Sequence, residues 1–196
     1  ESDLSVVQTL LAQGRVAVEM YSDPTRRDAL RERWAAGLGR RVRQADPGSD
    51  HQLALVRAWS AAAVSEQDTA EIRGLLDGSH EMPGLVLDRD LRWHLLQRLV
   101  IKGHLGTHAI EAEAETDKTA AGERQAALAR AALPSLEHKQ AVWDAIMTPS
   151  ALSNSTMEAA LAGFMPAEQS ELLAAFVEQH RMKISRERYD PCYVIK

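Results

Sequence analysis

The chain has 196 residues and a mass of 21.6 kDa, which suits one large domain or two small ones rather than a multi-domain enzyme. Hydrophobic residues make up 45% and charged residues 26%, so the chain can build a core, and this composition excludes a disordered protein. The 28 acidic residues outnumber the 23 basic ones, and the net charge of −5 argues against a general binder of nucleic acid or anionic membranes.

Two further absences limit the class of protein. No apolar run approaches the roughly 20 residues that a transmembrane helix needs. The single cysteine, Cys192, excludes an internal disulfide framework and a cysteine-rich zinc knuckle. The chain begins at Glu1 rather than at a methionine, so the missing signal peptide carries no information on localisation.

Helical spacing dominates the chain, and strand signals are nearly absent. Apolar residues recur at every fourth position in two clear stripes, Leu30/Trp34/Leu38/Val42 and Leu91/Leu95/Leu99. Such positions lie on one face of a helix. Stripes this narrow bury little surface alone, so these helices need neighbours on more than one side.

Proline, glycine and capping residues divide the chain into about ten helices. In chain order they are predicted at about 5–21, 24–45, 49–64, 65–76, 88 or 90–102, 107–115, 119–132, 136–147, 154–162 and 166–181. The stretch 77–84 contains two glycines and a proline, which makes it the longest loop and the candidate subdomain boundary.

The helices recur in pairs with an irregular period of roughly 30 to 45 residues. This spacing favours an all-α fold, a right-handed α-solenoid or HEAT-like superhelix of about ten antiparallel helices. An irregular helical bundle is the alternative, because the same helices could pack without a superhelix.

The histidines do not match a zinc-binding motif of the HExxH type. His80-Glu81 begins such a motif, but Pro83 would break the helix, and Gly84 stands where the second histidine is required. The motif needs both imidazoles on one helical face, one turn apart. We therefore predict no zinc site at this position.

Two other candidate sites are weak. His104 and His108 have i, i+4 spacing with Glu111 close by, but glycines interrupt the first turn, so surface histidines are the favoured interpretation. Cys192 follows a proline near the end of the chain and has no histidine beside it, which disfavours a nucleophilic role. The sequence also lacks phosphate-binding glycine loops and a nucleophile elbow, so we predict no catalytic residue and no metal ligand in this chain.

A series of arginines in the second predicted helix is the strongest charge feature: Arg26, Arg27, Arg31, Arg33, Arg40, Arg41 and Arg43. A solvated face, with arginine stems covering apolar surface, is one interpretation. A face that binds an anion or a partner is the other. Trp34 is the one aromatic residue among these arginines, whereas a single-strand binder interleaves several, so a nucleic-acid adaptor is disfavoured.

Arg92 lies in the predicted helix that carries the apolar stripe Leu91/Leu95/Leu99. Burying the guanidinium of Arg92 without a carboxylate would cost several kcal/mol. Asp88 lies one turn before it, and Asp117 could approach through the fold. We predict a structural ion pair of Arg92 with these acids, and a substrate-facing Arg92 is the alternative.

An ordered series of residues resembles the C-terminal helical domain of the aminopeptidase N family, the gluzincin zinc aminopeptidases, and most closely its actinobacterial branch. The likeness runs from about Leu4 to His180 and rests on order and spacing. The residues that carry it are the run 84–93 (GLVLDRDLRW), Leu95, Leu96, Leu99, Gly103, Ile110, Glu113, the run 117–122 (DKTAAG), Pro134, Lys139, Trp143, Leu152, Ser153, Asn154, Gly163 and Phe164.

The resemblance implies a bacterial, cytoplasmic parent enzyme that removes N-terminal amino acids from peptides with one Zn²⁺. In that family an HExxH helix with a later glutamate holds the metal, and a Gly-x-Met-Glu-Asn segment binds the substrate amine. Neither motif occurs here, so the resemblance implies a non-catalytic domain, with no cofactor of its own, over residues 1–181. Its implied partners are the catalytic domain of the same polypeptide and peptide substrates, not nucleic acid or membranes.

The family's domain caps the active-site chamber and controls peptide access. On this basis Arg92, Trp93 and Asn154 are the candidates for lining part of that cavity, which for Arg92 is the alternative to the ion pair. The tail at 182–196 does not continue the family pattern, and no role is assigned to it. A stand-alone helical-repeat scaffold for protein–protein interaction is the alternative function.

Overall fold

The computed structural model describes residues 3–148 and 151–178, and every regular element in these two ranges is helical. The all-α class predicted from the sequence is thereby confirmed. The complete α-helices of the described ranges are α1 (Leu4–Val16), α2 (Arg27–Gln44), α3 (Asp50–Ala62), α4 (Glu66–Asp77), α5 (Arg89–Ile101), α6 (Thr107–Thr116), α7 (Ala120–Ala131), α8 (Leu136–Met147) and α9 (Asn154–Phe164). Residues 170–178 are helical as well.

Short segments of other helix types adjoin these elements. A π-helix, Ala17–Tyr21, continues α1, and a 3₁₀ turn, Pro24–Arg26, leads into α2. A second 3₁₀ turn, Ala167–Gln169, follows Pro166. The helices predicted at 5–21, 24–45 and 166–181 therefore contain these tighter or wider turns, and the end of the last one lies outside the described residues.

Side-chain caps explain where several helices begin. The hydroxyl of Ser65 accepts a hydrogen bond from the Asp68 backbone N–H (3.0 Å), and Asp88 Oδ1 accepts one from the Leu91 N–H (2.8 Å). The sequence left Asp88 and Asp90 as alternative caps of α5, and the structure selects Asp88. The Asp68 carboxylate does not complete a capping box, because it accepts a hydrogen bond from Trp59 Nε1 (3.1 Å).

The chain divides into two compact units, Glu1–Leu99 and Val100–Lys196, so the division falls in the last turn of α5. The subdomain boundary predicted at 77–84 lies inside the first unit. That loop is held against the turn before α3, where the side chain of Gln52 accepts from the Gly48 N–H and donates to the Pro83 carbonyl. Gly84 has φ of 74°, and a Cβ there would overlap the backbone of Pro47 and Gly48, so only glycine suits the position.

In the first unit, the apolar stripe of α5 and the second half of the α2 stripe form core surfaces, whereas Leu30 and Trp34 are only partly buried. Leu91, Leu95 and Leu99 are all buried, and so are Leu38 and Val42 of α2. Burial of this kind stabilises a fold by about 25 cal/mol per Å² of apolar surface. The buried stripe residues therefore contact neighbouring helices, as stripes this narrow need.

In the second unit, α9 packs closely against α7. A Cβ at Gly163 would overlap the backbone of Leu128, so glycine permits the approach of the two helices. Trp143, Phe164 and Phe176 form an aromatic cluster with ring centroids 5.4 to 6.2 Å apart. No helix within the described ranges combines the length and the apolarity that crossing a bilayer requires.

Candidate functional site

The predicted ion-pair residues have clear structural positions. Arg92 Nη1 donates to the Leu76 carbonyl at the end of α4 (3.2 Å), so the guanidinium ties α5 to the C-terminal end of another helix. Asp88 caps α5, and Asp117 Oδ1 accepts a hydrogen bond from the Thr119 hydroxyl (2.7 Å). The ion pair of Arg92 with the two aspartates stays a prediction.

The other two residues expected to line the substrate cavity differ in burial. Trp93 is only 1% exposed and lies in the core, whereas Asn154 is the exposed first residue of α9. The cavity-lining role of Arg92, Trp93 and Asn154 also stays a prediction.

The first histidine motif lies outside the helices. His80 and Glu81 lie in the loop between α4 and α5, so the helical spacing that HExxH needs is not formed there. Across residues 3–148 and 151–178, no three His, Cys, Asp or Glu side chains are grouped as a metal site would need.

The second histidine pair is divided between a turn and a helix. His104 precedes α6 and His108 lies in it, and Glu111 accepts two hydrogen bonds from the Arg130 guanidinium (2.8 and 2.6 Å). That bidentate pair lowers the pKa of Glu111 below its usual value and uses the carboxylate that a metal would require. Cys192 lies outside the described residues.

Five of the seven arginines in the series form two groups, while Arg26 precedes α2 and Arg27 is its first residue. Arg31 forms ion pairs with Glu19 (2.6 Å) and Asp28 (3.0 Å), and Arg43 forms one with Glu71 (2.8 Å). These arginines tie α2 to the preceding π-helix and to α4. Their guanidiniums are therefore already engaged within the first unit.

Arg33, Arg40 and Arg41 form the second group, and their side chains are exposed on one face of α2. Within the described part of the chain, none of the three makes an ion pair or a hydrogen bond. They line a groove of about 870 Å³ between α1, α2 and α3, which we call the arginine groove. Unpaired guanidiniums of this kind can bind carboxylates in a bidentate manner.

The floor and ends of the arginine groove combine apolar and polar side chains. Its apolar lining is Val7, Leu10, Leu11, Trp34, Leu38 and Leu55. His51 also lines the groove, and its Nε2 is buried without a hydrogen-bond partner among the described residues. Asp46 places one carboxylate at the rim. The groove thus presents cations around an apolar surface, which suits binding.

A buried lysine organises the second unit. Lys139 is 0% exposed, and its Nζ donates to the carbonyls of Ala131 (2.7 Å) and Phe164 (2.8 Å), the last residues of α7 and α9. These carbonyls have no partner within their own helices and carry the negative end of the helix dipole. Burial lowers the pKa of Lys139 to about 8, and the Phe164 ring lies 5.2 Å from Nζ.

Gln169 also donates hydrogen bonds to carbonyls at helix ends. Its Nε2 donates to the carbonyl of Ile101 at the end of α5 (2.8 Å) and to that of Ala132 after α7 (2.7 Å). Three helix ends are thus satisfied by two buried side chains. We call Lys139 and Gln169 the helix-end pair.

A partly buried histidine lies in the first unit. His94 Nε2 is 3.1 Å from both the Arg57 carbonyl and the Ser60 hydroxyl. Burial, together with the nearby positive charges of Arg98, Arg57 and Arg15, lowers the pKa of His94 to about 4. The imidazole is therefore neutral at pH 7.

Sequence reasoning missed the role of the helix-end pair, and it offered a partner-binding arginine face without identifying which arginines form the groove. A signal for Lys139 exists, because it lies three, four and seven residues before Val142, Trp143 and Ile146, on the apolar face of α8. A lysine on such a face must find oxygen partners or reach solvent. The groove has a weaker signal, the glycine at position 37 among the arginines.

Comparison with known proteins gives two matches. The model of the ERAP1-like C-terminal domain family matches residues 1–191, and so extends into the segment 182–196 that was expected to depart from the family. Aminopeptidase N of Streptomyces lividans is 44% identical over 180 residues, which are 92% of this chain and 21% of the relative. The chain therefore spans about a fifth of the length of that relative.

Proposed function

Since this chain belongs to the ERAP1-like C-terminal domain family, we propose that it is the non-catalytic C-terminal domain of a longer zinc aminopeptidase. The resemblance to aminopeptidase N inferred from the sequence is confirmed at the level of the domain family. The observation that carries the proposal is the 44% identity to an aminopeptidase N over almost the whole of this chain. In this role the domain caps the active-site chamber and controls peptide access while the parent removes N-terminal residues.

The zinc of such a parent would be held by residues outside this sequence. The residues present do not fit a zinc site, since Glu111 is paired with Arg130 and the 80–84 segment is a loop. The metal would activate the water that cleaves the peptide bond. This chain's own residues would instead shape the wall of the chamber and exclude bulk water and folded proteins.

A wall that selects peptides by size must keep its helices in place. The helix-end pair supports this requirement, because Lys139 and Gln169 hold the ends of α5, α7 and α9 through buried hydrogen bonds. Helical-repeat domains also provide large surfaces from short sequence units. The partners in this proposal are the catalytic domain of the same polypeptide and peptide substrates, in the bacterial cytoplasm.

The size-selection role can be tested in the parent polypeptide with three substrates that share one N-terminal residue. The first is an aminoacyl reporter amide and the second is an unstructured peptide. The third is a shortened form of that peptide joined directly to a folded domain. We expect cleavage of the first two and resistance of the third. Deleting residues 1–178 should raise the cleavage rate of the third substrate relative to that of the reporter. If this ratio of rates is unchanged by the deletion, the proposal is contradicted.

A point variant covers the case in which the deletion impairs folding. Asn154→Trp adds bulk at a position expected to line the chamber, so it should slow the peptide more than the reporter. Ser155→Trp is the matched control, because successive positions on a helix point about 100° apart and Ser155 is also exposed. Equal effects of the two variants would refute the cavity-lining role of Asn154.

A stand-alone interaction scaffold is the second candidate, and the arginine groove favours it, because three unpaired guanidiniums surround an apolar floor. The coding sequence discriminates the two functions. A continuous reading frame with HExxH and Gly-x-Met-Glu-Asn upstream supports the peptidase domain. A start codon just before Glu1 supports the scaffold.

A further inference from the structure

The outer surface of α1 and its π-helical continuation is unusually apolar. Five of the twelve large hydrophobic side chains that are exposed among the described residues belong to this one segment: Val6, Leu10, Val16, Met20 and Tyr21. No residue of α1 or of the π-helix is buried. The segment is about 25 Å long at 1.5 Å per residue, which is the length of a helix-packing surface rather than of a small-ligand pocket.

This apolar surface continues into the arginine groove. Leu10 is 60% exposed and also lines the groove, so one contiguous surface runs from the outer side of α1 to α2. Contiguous exposed apolar surface bordered by charged groups marks interaction sites. The charged border here is the unpaired group Arg33, Arg40 and Arg41.

Gly37 lies at the centre of the arginine groove without a role inside the first unit. A Cβ at this position would meet only Arg40 Nη2, at 3.9 Å, which is ordinary van der Waals contact. Glycine inside a helix costs about 1 kcal/mol relative to alanine, and nothing within the unit requires it here. Gly39 differs, because its Cβ would lie 3.0 Å from Arg43 Nη1 and 3.2 Å from Trp59 Nε1.

We propose that a further helix of the parent polypeptide packs along the groove and the exposed side of α1, with aspartate or glutamate side chains facing Arg33, Arg40 and Arg41. This inference rests on the proposed function, and a helix of the same polypeptide is the occupant because the matched relative is about five times longer than the matched region. Helices that approach closely do so at small residues, and Gly37 provides such a position. The three guanidiniums supply the charge complementarity that sets the register.

Hydrogen exchange of the parent and of the 196-residue chain tests this packing. In the isolated chain, α1 has no buried residue to protect it, so its amides should exchange fast. In the parent we expect those amides to exchange about ten-fold more slowly. Equal exchange of α1 in the two proteins would overturn the inference.

Two variants identify the groove as the contact. Arg40→Glu/Arg41→Glu places negative charge against the proposed acids, and Gly37→Leu fills the slot with a good helix former. Both should return α1 exchange in the parent to the rate of the isolated chain, while leaving the melting temperature of the isolated chain unchanged or raised. Arg26→Glu is the matched control, since Arg26 is exposed and does not line the groove, and it should leave α1 exchange unchanged.

The remaining outcomes also decide the question. If α1 protection in the isolated chain rises with concentration and a dimer sediments, a second copy covers the surface and the inference is wrong. If the parent cleaves peptides normally and its α1 exchanges fast, the inference fails and the proposed function stands. If α1 is protected in a parent that releases no N-terminal residues, the proposed function fails and the packing stands.

Discussion

Two sets of cationic side chains, one in each unit, have opposite surroundings. In the second unit, Lys139 is completely buried, and both of its hydrogen bonds go to helix-end carbonyls. In the first unit, Arg33, Arg40 and Arg41 stand in an open groove without ion pairs among the described residues. The first arrangement fixes helices within the unit, whereas the second leaves charge available for a segment outside it.

This difference follows from the cost of desolvation. A buried ammonium is tolerated only where oxygen atoms replace its water, and the two helix C-termini provide them. An exposed guanidinium keeps its hydration and contributes little to stability. Substitutions at Lys139 should therefore affect folding, and those in the groove should affect association.

The largest effect is expected for Lys139→Met. Methionine preserves much of the volume but removes both donors, which leaves two buried carbonyls unsatisfied, so the free energy of unfolding should fall by about 3 kcal/mol or more. Urea denaturation measures this change. Lys118→Met is the control, because the Lys118 side chain is 74% exposed in its ion pair with Glu115. If Lys139→Met lowers the free energy of unfolding no more than Lys118→Met does, the role of Lys139 is refuted.

Acidification should lower the stability of the first unit through the partly buried His94. His94 stays neutral in the folded state down to about pH 4, whereas an unfolded histidine binds a proton below about pH 6.5. The unfolded state therefore holds more protons in this window, so stability should fall by up to about 3 kcal/mol between pH 6.5 and pH 4. Urea denaturation at several pH values measures how the free energy of unfolding changes with pH. His94→Gln should remove the part of this pH dependence that is due to His94. An identical pH dependence in the variant would contradict the role of His94.

The smallest effects distinguish two neighbouring glycines of α2. Gly37→Ala should stabilise the isolated chain by about 1 kcal/mol, because helix propensity rises and the new methyl group has space. Gly39→Ala should destabilise it, because the Cβ would press on Trp59 and Arg43. Thermal melting of the two variants compares them directly, and destabilisation by Gly37→Ala would show that the groove is not open at Gly37.

Local sequence signals predicted much of the fold. Capping residues and proline turns located the helices to within a few residues, and α8 coincides with its prediction at 136–147. These features are local, since a cap depends on the residues of one turn. The all-α class followed from the same signals.

Contacts between distant elements could not be predicted in this way. The arginines of α2 look alike in sequence, but Arg31 reaches Glu19 and Arg43 reaches Glu71, while Arg40 meets no acid among the described residues. Arg92 likewise donates to the Leu76 carbonyl of α4, a partner that no spacing rule indicates. Which helices become neighbours decides these pairings, and that depends on the whole packed unit.

The central claim is that this chain breaks no peptide bond itself and acts as part of a longer peptidase. The most direct measurement is release of an aminoacyl reporter by the isolated 196-residue chain, with and without added Zn²⁺, beside the parent polypeptide. We predict that the parent releases the reporter in a metal-dependent manner and that the isolated chain shows only the uncatalysed rate. Robust metal-dependent release by the chain alone would contradict it.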